Sequence, residues 1–288
     1  MTSIQHWKEQ NICETIREMG SLVSLIYDYA KHWRLDNFDN MNKFLEDNKN
    51  NSELSADEKS SLVNISTKYP EGEVLKFFTN DADLECVIGK NPHKKRFTLI
   101  FRGSEGFWDW VYDMCIFKVS IGNCGVKVHS GFHKQLMYND TFNKICDFIQ
   151  QYNTEEYKDW KWVISGHSLG GALSILSGYL LSERLPEINW TVISFASPKV
   201  GNRIFKTDFE LRQNLRHYRI CNNYDLVTSI PTFWYCHTGY NLWYSCKDKE
   251  WKHFGYRAPE YSYYLYNYWN PYDHICSRYV DNLKCLTD

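Results

Sequence analysis

The feature that most constrains this chain is a serine bracketed by glycines, Gly166-His167-Ser168-Leu169-Gly170-Gly171, set between two apolar runs of unequal length. Before it stands Lys161 to Ser165, short and rich in strand formers. After it comes Ala172 to Leu181, long enough and apolar enough for a buried helix. A strand that enters a helix through one tight turn strains the residue at the apex, and side chains at Gly166 and Gly170 would collide with neighbouring backbone. The helix start beneath it offers free N–H groups and the positive end of a dipole. Such a turn holds the Ser168 hydroxyl out for nucleophilic attack, and the Leu169 N–H can donate to the oxyanion that attack creates. A glycine-rich turn with no chemistry is the alternative reading.

The surrounding pattern supports the strand and the helix. Arg96–Phe101, Trp190–Phe195 and Leu215–Ile220 read as further strands, and a helix is expected from about Gly131 to Tyr152. Strands alternating with helices imply an α/β fold, with a mostly parallel sheet flanked by helices and reactive loops at the strands' carboxyl ends. Residues from about Ile12 to Tyr29 have helical periodicity, whereas about Lys31 to Lys68 is polar and reads as an exposed helical insertion or a mobile segment. The length, 288 residues, suits a single domain, residues 1–288, with residues 1–68 as a helical and polar N-terminal region. A net charge of −2 with mixed signs excludes a nucleic-acid partner. No apolar leader and no transmembrane segment is visible, and ten irregularly spaced cysteines read as reduced thiols, so a cytoplasmic protein is expected.

A nucleophilic serine needs a base and an acid. In hydrolases with this turn they follow the serine in the order acid, then histidine. Asp225, a few residues beyond the strand at Leu215–Ile220, is the best-placed acid, although it can equally cap a turn beside Asn222 and Asn223. His237, His253 and His274 lie downstream of it, and spacing does not choose among them. Cys236, His237, Cys246 and His253 fit no zinc spacing, so no metal is expected.

Several segments together resemble the class 3, or fungal-type, triacylglycerol lipase family of the α/β-hydrolase superfamily. Besides the serine turn they are Arg102-Gly103-Ser104 with Asp109-Trp110 and Asp113 after it, and Val128-His129-Ser130-Gly131-Phe132. Further on come Phe195-Ala196-Ser197-Pro198-Lys199-Val200-Gly201-Asn202, Tyr235-Cys236-His237-Thr238-Gly239 with Trp243, and Asp273-His274. The resemblance covers about 69–279 and departs at Ala196, where the family usually has glycine. It implies an α/β-hydrolase fold and a triad of Ser168, Asp225 and His274, with His237 a structural neighbour. It also implies Ser104 and Leu169 as the oxyanion hole and, at Gly106, Phe107, Trp108 and Val111, a lid. A fixed core helix is the alternative for that segment. The stretch from Phe233 to Tyr272 is dense in aromatic residues and suits an acyl-binding wall, a bilayer-facing rim or a loop-rich cover.

The implied activity is carboxylic-ester hydrolysis of a lipid or ester substrate, lipase-like, without a metal or organic cofactor and with transient contact at a lipid surface. A phospholipase A, a short-chain esterase and a non-catalytic binding or signalling protein are the alternatives.

Overall fold

A computed structural model describes residues 12–36, 47–48, 51–69, 71–104, 117–122, 125–232, 234–255 and 270–287. The strands sort their side chains between two cores, as a period of two requires. Along β3 (Arg96–Phe101), Phe97, Leu99 and Phe101 enter one core and Ile100 the other. Along β7 (Trp190–Phe195), Trp190 and Val192 enter the first, while Ile193 and Phe195 enter the second.

Eight strands form the sheet in the order β1-β2-β3-β6-β7-β8-β9-β10. Parallel pairing joins β3, β6 (Lys161–His167), β7, β8 (Leu215–Asn222) and β9 (Tyr240–Ser245). Antiparallel pairs close both edges: β1 (Glu73–Thr79) on β2 (Glu85–Asn91) and β2 on β3, with β10 (Glu250–Gly255) on β9 at the other edge. Thus the expected mostly parallel, helix-flanked sheet is present, widened by four edge strands that mix polar and apolar residues too freely to be read from the sequence. Two of them, β9 and β10, lie in the aromatic-rich stretch, so that residues 240–245 and 250–255 of it are sheet. A separate ribbon pairs β4 (Lys118–Ser120) with β5 (Lys127–His129).

Three helices fill the first face. The helix expected at 131–152 is two, α3 (Ser130–Met137) and α4 (Thr141–Gln150). Asn139 and Asp140 between them adopt positive φ (50° and 62°), a conformation these two residue types tolerate better than others. Beside them, against β6 and β7, lies α5 (Leu169–Arg184), which is buried around most of its circumference, as an apolar run without polar spacing requires.

The second face is covered by α1 (Ile12–His32) and α7 (Cys276–Leu283), which pack on each other. The polar N-terminal segment is not wholly irregular. It forms α2 (Ala56–Lys68), started by a capping box in which Ser55 and Glu58 bond each other's backbone N–H. Leu62 and Ile65 bury its inner face, and Asn64 donates to Asp28 of α1 at 2.5 Å. A further helix, α6 (Arg203–Leu211), inserts Phe205 and Phe209 into the first core. No helix among the described residues is long and apolar enough to cross a membrane.

Candidate active site

Ser168 stands at the apex between β6 and α5 with φ 58° and ψ −123°, a sparsely populated conformation that costs a non-glycine residue about 1–3 kcal/mol. Its N–H donates to Phe195 O at 2.9 Å, which holds the turn to β7. A Cβ on Gly166 would lie 2.2 Å from Gly170 O, and one on Gly170 would lie 2.4 Å from Phe101 O. Close approach therefore demands both glycines. It also brings the end of β3, which leads to Ser104, against the turn.

His274 arrives on a 3-10 turn, Pro271–His274, just before α7. Its Nε2 lies 2.9 Å from Ser168 Oγ, and its Nδ1 lies 3.0 Å from each Asp225 oxygen. A carboxylate only accepts, so Nδ1 carries the proton and Nε2 is left to accept from the Ser168 hydroxyl. All three side chains are buried.

Asp225 follows β8 and caps the 3-10 turn Leu226–Ser229, accepting from the Val227 N–H at 3.0 Å. Turn capping and imidazole orientation are thus combined in one side chain. Its second oxygen accepts from the Tyr279 hydroxyl at 2.7 Å, and that hydroxyl accepts from the Asn222 N–H at 2.9 Å. Asp273, next to His274, is gripped by the same loop, accepting from Asn223 Nδ2 at 3.1 Å and the Tyr224 N–H at 3.3 Å. The loop that carries the acid and the turn that carries the imidazole are therefore joined without using the reacting atoms. Tyr279 and the grip on Asp273 were not foreseen. Each depends on a contact across some fifty residues, for which no local pattern exists.

His167, inside the serine turn, has a second task. Its Nε2 donates to the His274 backbone oxygen at 2.8 Å, so its Nδ1 is the acceptor and faces the Tyr27 hydroxyl of α1 at 3.3 Å. Burial holds the His167 imidazole well below the ordinary histidine range, and the adjacent His274 pushes it the same way. His167 is therefore held neutral. His237 is placed elsewhere: its Nε2 donates to Thr228 O at 2.5 Å, inside the turn that Asp225 caps.

Ser104 and Leu169 line one cavity of about 690 Å³, together with Phe117, Val119, Phe132 and His133. Leu169 begins α5, so its N–H has no acceptor within the helix. His129 closes the cavity floor and accepts at Nδ1 from the N–H groups of Gly131 and Phe132 that start α3. Gly106, Phe107, Trp108 and Val111 lie outside the described residues. Ala196, where glycine was expected, has φ 53° and a fully buried methyl. That methyl's burial, worth about 0.8 kcal/mol, offsets much of the backbone strain.

His167 and His217 set a pH limit on the fold. His217 bonds Ser194 Oγ at 2.8 Å and Thr238 Oγ1 at 2.9 Å, and burial followed by the Arg219 charge pushes it down to about 3. Both imidazoles are neutral when folded, whereas the unfolded chain binds protons below about pH 6.5. Their contribution is complete above that value and falls as pH drops below it, by up to about 1.4 kcal/mol per pH unit for each. Urea unfolding should thus give a level stability between pH 7 and 8 and a loss of about 2.5 kcal/mol from this pair between pH 6 and 5. A flat profile down to pH 5 would remove the buried neutral state from the account.

Comparison with known proteins agrees with this geometry. The family description Lipase (class 3) matches residues 98–234. A lipase of Rhizomucor miehei is 27% identical over 175 residues, 58% of this chain and 47% of its own length. One from Rhizopus niveus is 29% identical over 182 residues, 60% of this chain and 45% of its own length. The chain thus spans about half the length of these relatives. Phospholipase A1-Igamma3 of Arabidopsis thaliana is 28% identical over 163 residues, covering 48% of this chain and 31% of its own length. Among solved structures, lipase II from Rhizopus niveus superposes with a TM-score of 0.70 at 21% identity, covering 91% of this chain and 93% of that one. The stretch 98–234, which holds the serine turn and Asp225, thus matches the class 3 lipase family, and the fold is that of the solved fungal lipases.

Proposed function

We propose that this chain is a serine carboxylic-ester hydrolase that cleaves acylglycerols through an acyl-enzyme on Ser168. One observation carries the most weight: a strained, buried serine hydroxyl donates to an imidazole whose other nitrogen is fixed by a buried carboxylate. In the proposed reaction Ser168 Oγ attacks the ester carbonyl while His274 Nε2 takes its proton. The Leu169 N–H, with the N–H and hydroxyl of Ser104, receives the oxyanion. His274 returns the proton to the departing alcohol, then deprotonates a water that releases the fatty acid and restores Ser168. Asp225 keeps the Nδ1 proton in place and offsets the imidazolium charge throughout. The chemistry supplies its own nucleophile, base and oxyanion donors, so no cofactor enters any step.

The lipase names of the fungal relatives support acylglycerols as substrate. The phospholipase A1 relatives favour a second reading, release of one acyl chain from a phospholipid at the same serine. Either substrate is presented at a lipid surface, where contact would be transient. Ten cysteines at irregular spacings support a reducing compartment such as the cytoplasm.

A fluorophosphonate should form one adduct on the peptide that contains Ser168, and Ser168→Ala should lose it while keeping its circular dichroism. An adduct that persists in this variant would place the nucleophile elsewhere. Hydrolysis of triacylglycerols, phospholipids and short-chain esters by the unlabelled protein then separates the two readings.

A further inference from the structure

A buried charge that takes no part in the proposed reaction stands behind the loop that carries Ser104. Glu85 opens β2 with its side chain only 4% exposed. A carboxylate kept from water is costly and persists where cations or donors compensate it. Two arginines do so here. Arg34, just past α1, brings Nη2 to Oε1 at 2.8 Å, and Arg102, just past β3, brings Nε to Oε2. The Arg102 N–H also donates to the Glu85 backbone oxygen at 2.9 Å. Glu85 therefore grips Arg102 by both backbone and guanidinium. Arg102 Nη2 comes within 3.5 Å of Asp83 as well, but that carboxylate is 69% exposed, and water screens the contact.

Arg102 lies two residues ahead of Ser104, and the chain between them runs against the serine turn. A Cβ on Gly170 would lie 2.8 Å from Arg102 O. One on Gly103 would lie 2.3 Å from the Tyr27 hydroxyl and 2.7 Å from His167 O. These approaches are steric. They limit how close the loop can come to α5, and they do not stop it from moving away. The grip of Glu85 supplies what sterics cannot, a fixed place for Arg102 relative to the sheet. That sheet also carries the serine, since Phe101 of β3 pairs with Gly166 of β6.

An oxyanion hole works when its donors are in place before the charge develops. The two proposed donors come from separate segments, Leu169 from the start of α5 and Ser104 from the loop after β3. A small displacement of one lengthens a hydrogen bond that matters at the transition state. Substrate binding, which rests on the acyl chain, is little affected by it.

We propose that Glu85 is a positioning residue for the oxyanion hole. Through Arg102 it holds the Ser104 N–H at the separation from the Leu169 N–H that the developing oxyanion needs. This proposal rests on the hydrolase reading above.

Glu85→Gln keeps the shape of the side chain and removes its charge. With a soluble short-chain ester, kcat per folded molecule should fall by about 10- to 100-fold, and KM should stay within about twofold. An alkylboronic acid forms a tetrahedral adduct with Ser168 Oγ that sets an oxygen in the oxyanion site. Its affinity should fall in step with kcat. Arg34→Gln removes the half-exposed partner of the same carboxylate, so it should lower the urea midpoint and leave kcat within a few-fold. Should Glu85→Gln fail to fold, Arg102→Lys keeps a cation beside Glu85 without the guanidinium fork, and both kcat and boronate affinity should fall several-fold. Parental kcat in the folded Glu85 or Arg102 variant would overturn the proposal. So would a loss of kcat without a loss of boronate affinity, or an equal loss of kcat in Arg34→Gln. These outcomes leave the hydrolase reading standing. A parent that neither hydrolyses the ester nor takes up the fluorophosphonate would remove that reading, and the proposal with it.

Discussion

His274→Ala should lower ester turnover by about 10⁴- to 10⁶-fold, while His237→Ala should leave turnover per folded molecule within a few-fold. The difference follows from what each ring touches. His274 is the acceptor for the Ser168 proton at 2.9 Å, and no other described imidazole contacts that hydroxyl. His237 bonds a backbone oxygen at Thr228, so its loss strands one carbonyl and costs about 1–3 kcal/mol of stability. Turnover of a soluble ester and urea midpoints, measured on both variants, separate the two effects. A stable, inactive His237→Ala beside an active His274→Ala would reverse the assignment.

Asp225→Asn should cost about 10⁴ in turnover with little change in backbone structure. An amide at this position can donate to Nδ1, which moves the imidazole proton to Nε2. There it opposes the Ser168 hydroxyl instead of accepting from it. Tyr279→Phe removes one of the donors to the same carboxylate but leaves the Nδ1 contact, so a loss of about tenfold is expected. The ratio of the two losses is informative, because both variants keep the shape of the site. Equal losses would mean that Asp225 acts by holding its loop rather than by choosing the tautomer.

How much of this was legible depended on sequence distance. The serine turn is local: two glycines, a short strand and a long apolar helix suffice, and β6 and α5 appear where those runs stand. Asp225 was identifiable by its place after a strand. The choice among His237, His253 and His274 rested on resemblance alone, because the Ser168–His274 contact spans 106 residues. Tyr27 and Tyr279 carry no local signature, since a tyrosine on a helix reads as packing until its partner is known, and Asp273 was seen only as the neighbour of His274. The edge strands β1, β2, β9 and β10 escaped for a different reason. Each is only partly covered, so its polar residues blur the alternation that marks a strand.

The clasp between the chain's two ends has a consequence for when the site comes into being. Helix α1 brings Tyr27 to His167, and α7 packs on α1 while supplying Tyr279. Arg17 bonds the backbone oxygen of Leu286, and Cys13 Sγ lies 3.5 Å from that of Thr287. The stretch 98–234, by which the family is recognised, holds the serine and the carboxylate but neither the imidazole nor these braces. A polypeptide that ends ahead of residue 271 therefore lacks the imidazole that contacts the Ser168 hydroxyl. Under the proposed mechanism such a fragment would be inactive, and the serine would be armed only when the fold closes.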